Sequence, residues 1–142
     1  MRELNYGFLG YKNHSKKLLD IFLKKTKGHY YIYIHKKNLL NKFKNSEVIF
    51  YTNDLKLIKK CDVIIISSPS KTHYNYLKYF KNNSKYIFCE KPGVVNKAEM
   101  KKLEKFKLNE KKMIYFNFNY IFSNYYNYLK KILQNKKYGN LV

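Results

Sequence analysis

The tripeptide Glu90-Lys91-Pro92 follows the apolar run "YIFC" and puts a primary amine where a strand would end. An ammonium beside a reacting oxygen stabilises developing alkoxide and, when partly buried, helps to move its proton. In a chain with 30 Lys and Arg residues, a lone strand-end lysine is by default a solvated charge, so its surroundings must decide. Another apolar run ends in Ser67-Ser68-Pro69, and Thr72-His73 opens the segment after it. His73 serves there either to start a helix through hydrogen bonds or to contact a cofactor. No His/Cys/Asp/Glu grouping has metal-ligand spacing, so no metal is expected.

A second chemical stretch lies near the start, where "GFLGYKNHS" turns from an apolar run toward a helical pattern. A strand, a glycine turn and a helix N-terminus together form the place where a dinucleotide pyrophosphate binds. With Gly10 as the first glycine of GxGxxG, the second position holds Lys12 and the third Ser15. The Lys12 ammonium or the Ser15 hydroxyl would then contact phosphate, with Asn13 in the same turn. The alternative is that Gly7 and Gly10 only shape a tight turn. His35-Lys36-Lys37 lies about 25 residues beyond Gly10, where an acidic residue would hold an NAD ribose. Three potential cations at that place favour a 2'-phosphate, hence NADP over NAD; the plain alternative is two lysines of a lysine-rich chain.

Positioning these groups requires a sheet. Apolar runs at Leu4 to Leu9, Tyr30 to Ile34, Glu47 to Tyr51, Asp62 to Ser67, Lys85 to Cys89 and Met113 to Phe118 alternate with longer helical segments. That is the pattern of β/α alternation, and the fourth run, apolar on both faces, reads as a central parallel strand. Candidate helices run from Ser15 to about Lys25, from just after His73 through Phe80, and around Met100, Leu103 and Phe106. Asn96 with Glu99 three residues later resembles a capping box before the last of these. The expected fold is a doubly wound, mostly parallel, Rossmann-type α/β sheet over residues 1–118. Residues 119–142 read as the start of a second domain, with a helix near Tyr125 to Gln134.

The formal charge of +21 raises the question of nucleic acid. All the cations but Arg2 are lysines, spread singly or in pairs along the whole chain, whereas base and phosphate recognition favours the arginine fork and a clustered surface. The 16 Tyr and 10 Phe residues fall partly within the apolar runs, and an aromatic on a core face is no platform for bases. Nucleic acid is therefore the weaker reading. Cys61 and Cys89 each adjoin an apolar run and read as reduced, packed thiols. The N-terminus lacks a secretory pattern and no run approaches the ~18 apolar residues of a membrane span. A cytoplasmic protein without membrane partners is expected.

The stretch "CDVIIISSPSKTHYNYLKYFKNNSKYIFCEKPGVVNKAEMKKLEKF" resembles the N-terminal domain of the Gfo/Idh/MocA oxidoreductases, the glucose-fructose oxidoreductase and inositol dehydrogenase family. The shared elements are a strand ending in Ser68-Pro69, the Thr72-His73 pair, a strand ending in Cys89-Glu90-Lys91-Pro92, and a following helix. The likeness extends more loosely from Leu4 to Val142. It implies a dinucleotide-binding domain followed by an α/β substrate domain, with hydride transfer between a nicotinamide and a sugar, polyol or related molecule. It also implies that Lys91 stands near substrate hydroxyl and nicotinamide ribose, that Glu90 and Pro92 position it, and that Pro69, Thr72 and His73 line the cofactor side. Ile121 occupies the place of an arginine common in the family, and the usual acid/base Asp and His belong to the second domain. Activity is thus expected to need that domain, as a complementing chain or within a homo-oligomer; a non-catalytic nucleotide-binding remnant is the alternative.

Overall fold

The computed structural model describes residues 3–82, 86–106, 113–118 and 123–134. Its elements are β1 (Leu4–Leu9), α1 (Asn13–Lys25), β2 (Gly28–Tyr33), β3 (Ile49–Thr52), α2 (Leu55–Lys59), β4 (Val63–Ile66), α3 (His73–Phe80), β5 (Tyr86–Glu90), α4 (Lys97–Glu104), β6 (Met113–Asn117) and α5 (Asn124–Gln134). Short 3-10 turns at Lys37–Lys42 and Ser70–Thr72 complete the order. The six strands form one parallel sheet in the order β3-β2-β1-β4-β5-β6. The chain winds outward from β1 on one side and from β4 on the other, so the crevice of a doubly wound sheet lies between those two strands.

Residue types explain the layering. Successive strand side chains alternate faces, so three consecutive isoleucines in β4 require cover on both. Ile64, Ile65 and Ile66 are fully buried, each stabilising the fold by roughly 1.5–3 kcal/mol. Ile64 and Ile66 join Leu9, Ile58, Leu77, Phe80 and Ile87 in a core beneath α2 and α3. Ile65 points the other way, into a core with Phe8, Tyr30, Ile32 and Leu19 of α1. Tyr6 and Tyr30 stack inside this second core with ring centroids 5.2 Å apart, and Phe8 and Phe80 are fully buried, which removes these rings from any base-stacking surface.

Asn96 caps α4 by accepting from the Glu99 backbone N–H at 2.9 Å, while the Glu99 carboxylate accepts from the N–H of Val95. Helix α1 begins two residues before the expected Ser15 start, and Phe106 lies beyond the end of α4. The five-residue α2 leaves no mark in the sequence pattern, because a segment that short shows no helical period. No described helix is long and apolar enough to cross a membrane.

Cys61 and Cys89 are buried and unpaired. Burial pushes both thiols up to about 12, helped by the negative charge of Asp62 beside Cys61 and of Glu90 beside Cys89. Neither should react with an aromatic disulfide reagent in the native protein, and both should react at once after unfolding. A thiol held neutral in the fold stabilises it below the ordinary thiol value of 9.0, and that contribution is lost as pH rises toward about 12. Denaturant midpoints should fall across that window, and less so in the Cys61→Ala, Cys89→Ala double variant.

Candidate functional site

The carboxyl ends of β1, β4 and β5 meet at one edge of the sheet. Gly10 closes β1 with φ +114°, and a Cβ there would lie 2.8 Å from the carbonyl oxygen of Ser67. Only glycine fits that turn. Gly7, by contrast, lies inside β1, where its missing side chain admits Ile58 and Cys61 from the α2 side. It packs the sheet rather than shaping the turn.

Helix α1 starts directly above the turn. Lys12 occupies its cap position, exposed and in extended conformation, without a side-chain cap, and the first turn holds no acidic residue. The leading N–H groups, from Asn13 onward, have no carbonyl to bond within the helix and face the sheet edge, the arrangement that suits an anion. Ser15, expected to offer its hydroxyl to phosphate, is committed elsewhere. It is buried, donates to the carbonyl of Gly10 at 2.6 Å and meets the Ser67 hydroxyl at 2.5 Å. One hydroxyl has one proton, so Ser67 donates to Ser15. The serine in the third glycine position thus pins α1 to the ends of β1 and β4.

The turn after β4 is held by its own side chains. Thr72 Oγ1 donates to the carbonyl of Pro69 at 2.7 Å and therefore accepts from the Ser68 hydroxyl, also at 2.7 Å. His73 is 1% exposed, and its Nδ1 and Nε2 lie 2.8 and 2.7 Å from the carbonyl oxygens of Pro92 and Ser68. His73 thus bridges the β4 turn and the β5 turn by hydrogen bonding, while the same ring lines the cavity at this sheet edge.

Glu90 ends β5 and is 8% exposed. Its Oε1 accepts from Asn117 Nδ2 at 2.7 Å, and His14 Nε2 lies 2.7 Å from the same oxygen. Lys91 is exposed, rather than partly buried as the chemistry of a lysine base would favour, and its peptide to Pro92 is cis. Among the described residues its ammonium makes no hydrogen bond or ion pair. A cavity of about 440 Å³ is lined by His14, Ser67, Ser68, Pro69, Ser70, His73, Glu90 and Lys91. His35, Lys36 and Lys37 sit apart from it, exposed at the end of β2. Ile121, noted in place of the arginine, lies outside the described residues.

The sequence profile described as "Oxidoreductase family, NAD-binding Rossmann fold" matches residues 4–118, most of the chain. The chain belongs to the Gfo/Idh/MocA oxidoreductase family. No curated protein sequence matches it. Among solved structures, an NAD binding oxidoreductase from Klebsiella pneumoniae is similar with 19% identity and a TM-score of 0.74, covering 97% of this chain and 40% of its own. Myo-inositol 2-dehydrogenase from Lactobacillus plantarum has 21% identity and a TM-score of 0.73, over 99% of this chain and 44% of its own. Scyllo-inositol dehydrogenase from Lactobacillus casei has 18% identity and a TM-score of 0.70, over 97% and 43%. This Gfo/Idh/MocA chain therefore spans about two-fifths of the length of the structures it matches, and corresponds to an oxidoreductase's NAD-binding domain.

His14 and Asn117 are the site residues that sequence reasoning missed. His14 lies 76 positions from Glu90, a pairing that no local spacing rule reports. Asn117 is brought in by register alone, as the residue facing Glu90 across β5 and β6.

Proposed function

We propose that the chain holds a nicotinamide dinucleotide across the β1/β4 crevice and serves as the cofactor-binding part of an oxidoreductase acting on a hydroxyl carbon of a sugar, polyol or sugar derivative. One observation carries this reading: an uncapped helix N-terminus over an obligatory glycine opens onto the same sheet edge as the cavity that holds Lys91. The residues fit the group. Gly10, Lys12 and Asn13 would take the pyrophosphate, and Ser67, Ser68 and Pro69 the nicotinamide side, with Thr72 and His73 keeping that turn in place. Lys91 would stabilise charge on the substrate oxygen, with Glu90 and Pro92 setting its position. When bound, the nicotinamide supplies the hydride chemistry.

The potential cations His35, Lys36 and Lys37 favour NADP over NAD. Fluorescence titration of the chain with NADPH and NADH tests this together with a Lys36→Glu, Lys37→Glu variant. The expected result is a loss of NADPH affinity of about 10–100-fold, since a hydrogen bond to a charged group is worth roughly 1.5–3 kcal/mol, with NADH affinity little changed. Equal loss for both cofactors would assign these lysines to general surface charge.

Residues 119–142 are proposed as the start of the substrate domain, completed by a second-domain chain or by a second copy. The exposed Tyr125, Tyr128, Leu129 and Leu133 on α5 support such a partner. The two buried unpaired thiols support a reducing compartment, the cytoplasm.

A further inference from the structure

An oxidised nicotinamide ring carries one positive charge and the reduced ring none, while the pyrophosphate and both riboses are the same in the two forms. A fixed charge beside the ring therefore separates the two forms, and contacts elsewhere on the cofactor do not. We propose that Glu90 supplies that charge and that its buried carboxylate selects the oxidised cofactor over the reduced one. This deepens the dinucleotide reading given above and rests on it.

The carboxylate has one oxygen engaged and one left over. The Glu90 side chain is 10% exposed, and Oε1 takes both of its contacts, accepting from Asn117 Nδ2 at 2.7 Å and lying 2.7 Å from His14 Nε2. Oε2 has no hydrogen-bond partner among the described residues, although a buried carboxylate oxygen ordinarily has one. The negative charge of Glu90 acts inside the fold, where it helps to hold the Cys89 thiol neutral. Its direction is set by the sheet, since β5 pairs with β4 through Cys89 and with β6 at Glu90 itself.

The position of this charge suits the ring rather than the phosphates. Glu90 lines the same cavity as Ser67, Ser68 and Pro69, the residues proposed for the nicotinamide side. Gly10, Lys12 and Asn13, proposed for the pyrophosphate, do not line it. Two other groups of the lining bear on the balance of charge. Lys91 is exposed, so water and salt weaken the field of its ammonium more than that of a buried carboxylate. His73 lies between the carbonyl oxygens of Pro92 and Ser68 and makes no contact with the carboxylate. His14 does touch it, from an exposed side chain in the first turn of α1, so position 14 is where a fixed cation would cancel the charge. Tighter binding of the oxidised form loads the cofactor that accepts hydride and lets it go once reduced, the order that oxidation of an alcohol needs.

Calorimetric titration of the 142-residue chain with NAD⁺ and NADH, and with NADP⁺ and NADPH, gives the ratio of oxidised to reduced affinity without any turnover. In Glu90→Gln, which keeps the size of the side chain and an acceptor for Asn117, the ratio should fall by about 10-fold, the scale of a unit charge acting on another a few ångströms away in a partly water-shielded site. His14→Lys, which leaves Glu90 in place, should lower the ratio by about 3–10-fold, and it decides the matter should Glu90→Gln fail to fold. A merely structural Glu90 would weaken both forms equally. Equal weakening, an unchanged ratio or a ratio moved toward the oxidised form overturns the proposal. The two levels fail differently: a wild-type chain that binds neither form sinks the dinucleotide reading, whereas binding of both with the ratio unmoved by the variants sinks only the selectivity of Glu90.

Discussion

Lys91→Met is expected to lower the rate at which a polyol reduces the bound nicotinamide by about 10²–10⁴-fold, with dinucleotide affinity roughly unchanged. Methionine keeps most of the lysine stem and removes the charge. Because Lys91 is exposed and forms no ion pair among the described residues, its loss should leave the fold intact. An effect confined to the chemical step would mean that the ammonium interacts more strongly with the developing alkoxide than with the ground-state hydroxyl. Comparable kcat in Lys91→Met and wild type would return Lys91 to the class of solvated surface lysines.

Gly10→Ala should destabilise the domain by about 2–5 kcal/mol and abolish dinucleotide binding in whatever fraction stays folded. Two effects add at this position. The φ of +114° is one that L side chains rarely adopt, and the new Cβ would meet backbone atoms of Ser67 and Ser68 at 2.8–2.9 Å. Backbone cannot swing aside as a flexible side chain can, so β1 and the β4 turn must separate. That separation pulls on the Ser15 and Ser67 hydroxyls that pin α1. Chemical denaturation followed by circular dichroism measures the loss of stability, and NADH fluorescence measures the loss of binding. Wild-type stability in Gly10→Ala would mean that the turn tolerates a side chain and that its glycine is incidental.

Much of the fold was legible because it is written in local pattern. Three isoleucines between Val63 and Ser67 demand cover on two faces whatever the surroundings, and Asn96 with Glu99 marks a helix start within four residues. Lys91 was legible as part of an ordered set of strand ends. The finer site was not, since it depends on partners brought together by topology. Ser15 had the right chemistry for phosphate, yet the approach of β4 claims its hydroxyl. His73 gives no local hint of the two carbonyls that it bridges, which only the meeting of the β4 and β5 turns brings together. His14 was one polar residue in a glycine turn until the winding of the sheet set it against Glu90.

The most direct measurement is a titration of the ¹⁵N-labelled chain with NADH, following backbone amide shifts. Binding across the β1/β4 crevice predicts saturable shifts concentrated at Gly10 through Ser15, Ser67 through His73, and Lys91, with α5 unmoved. No saturable change, or shifts centred on α5 with the glycine turn silent, would contradict it.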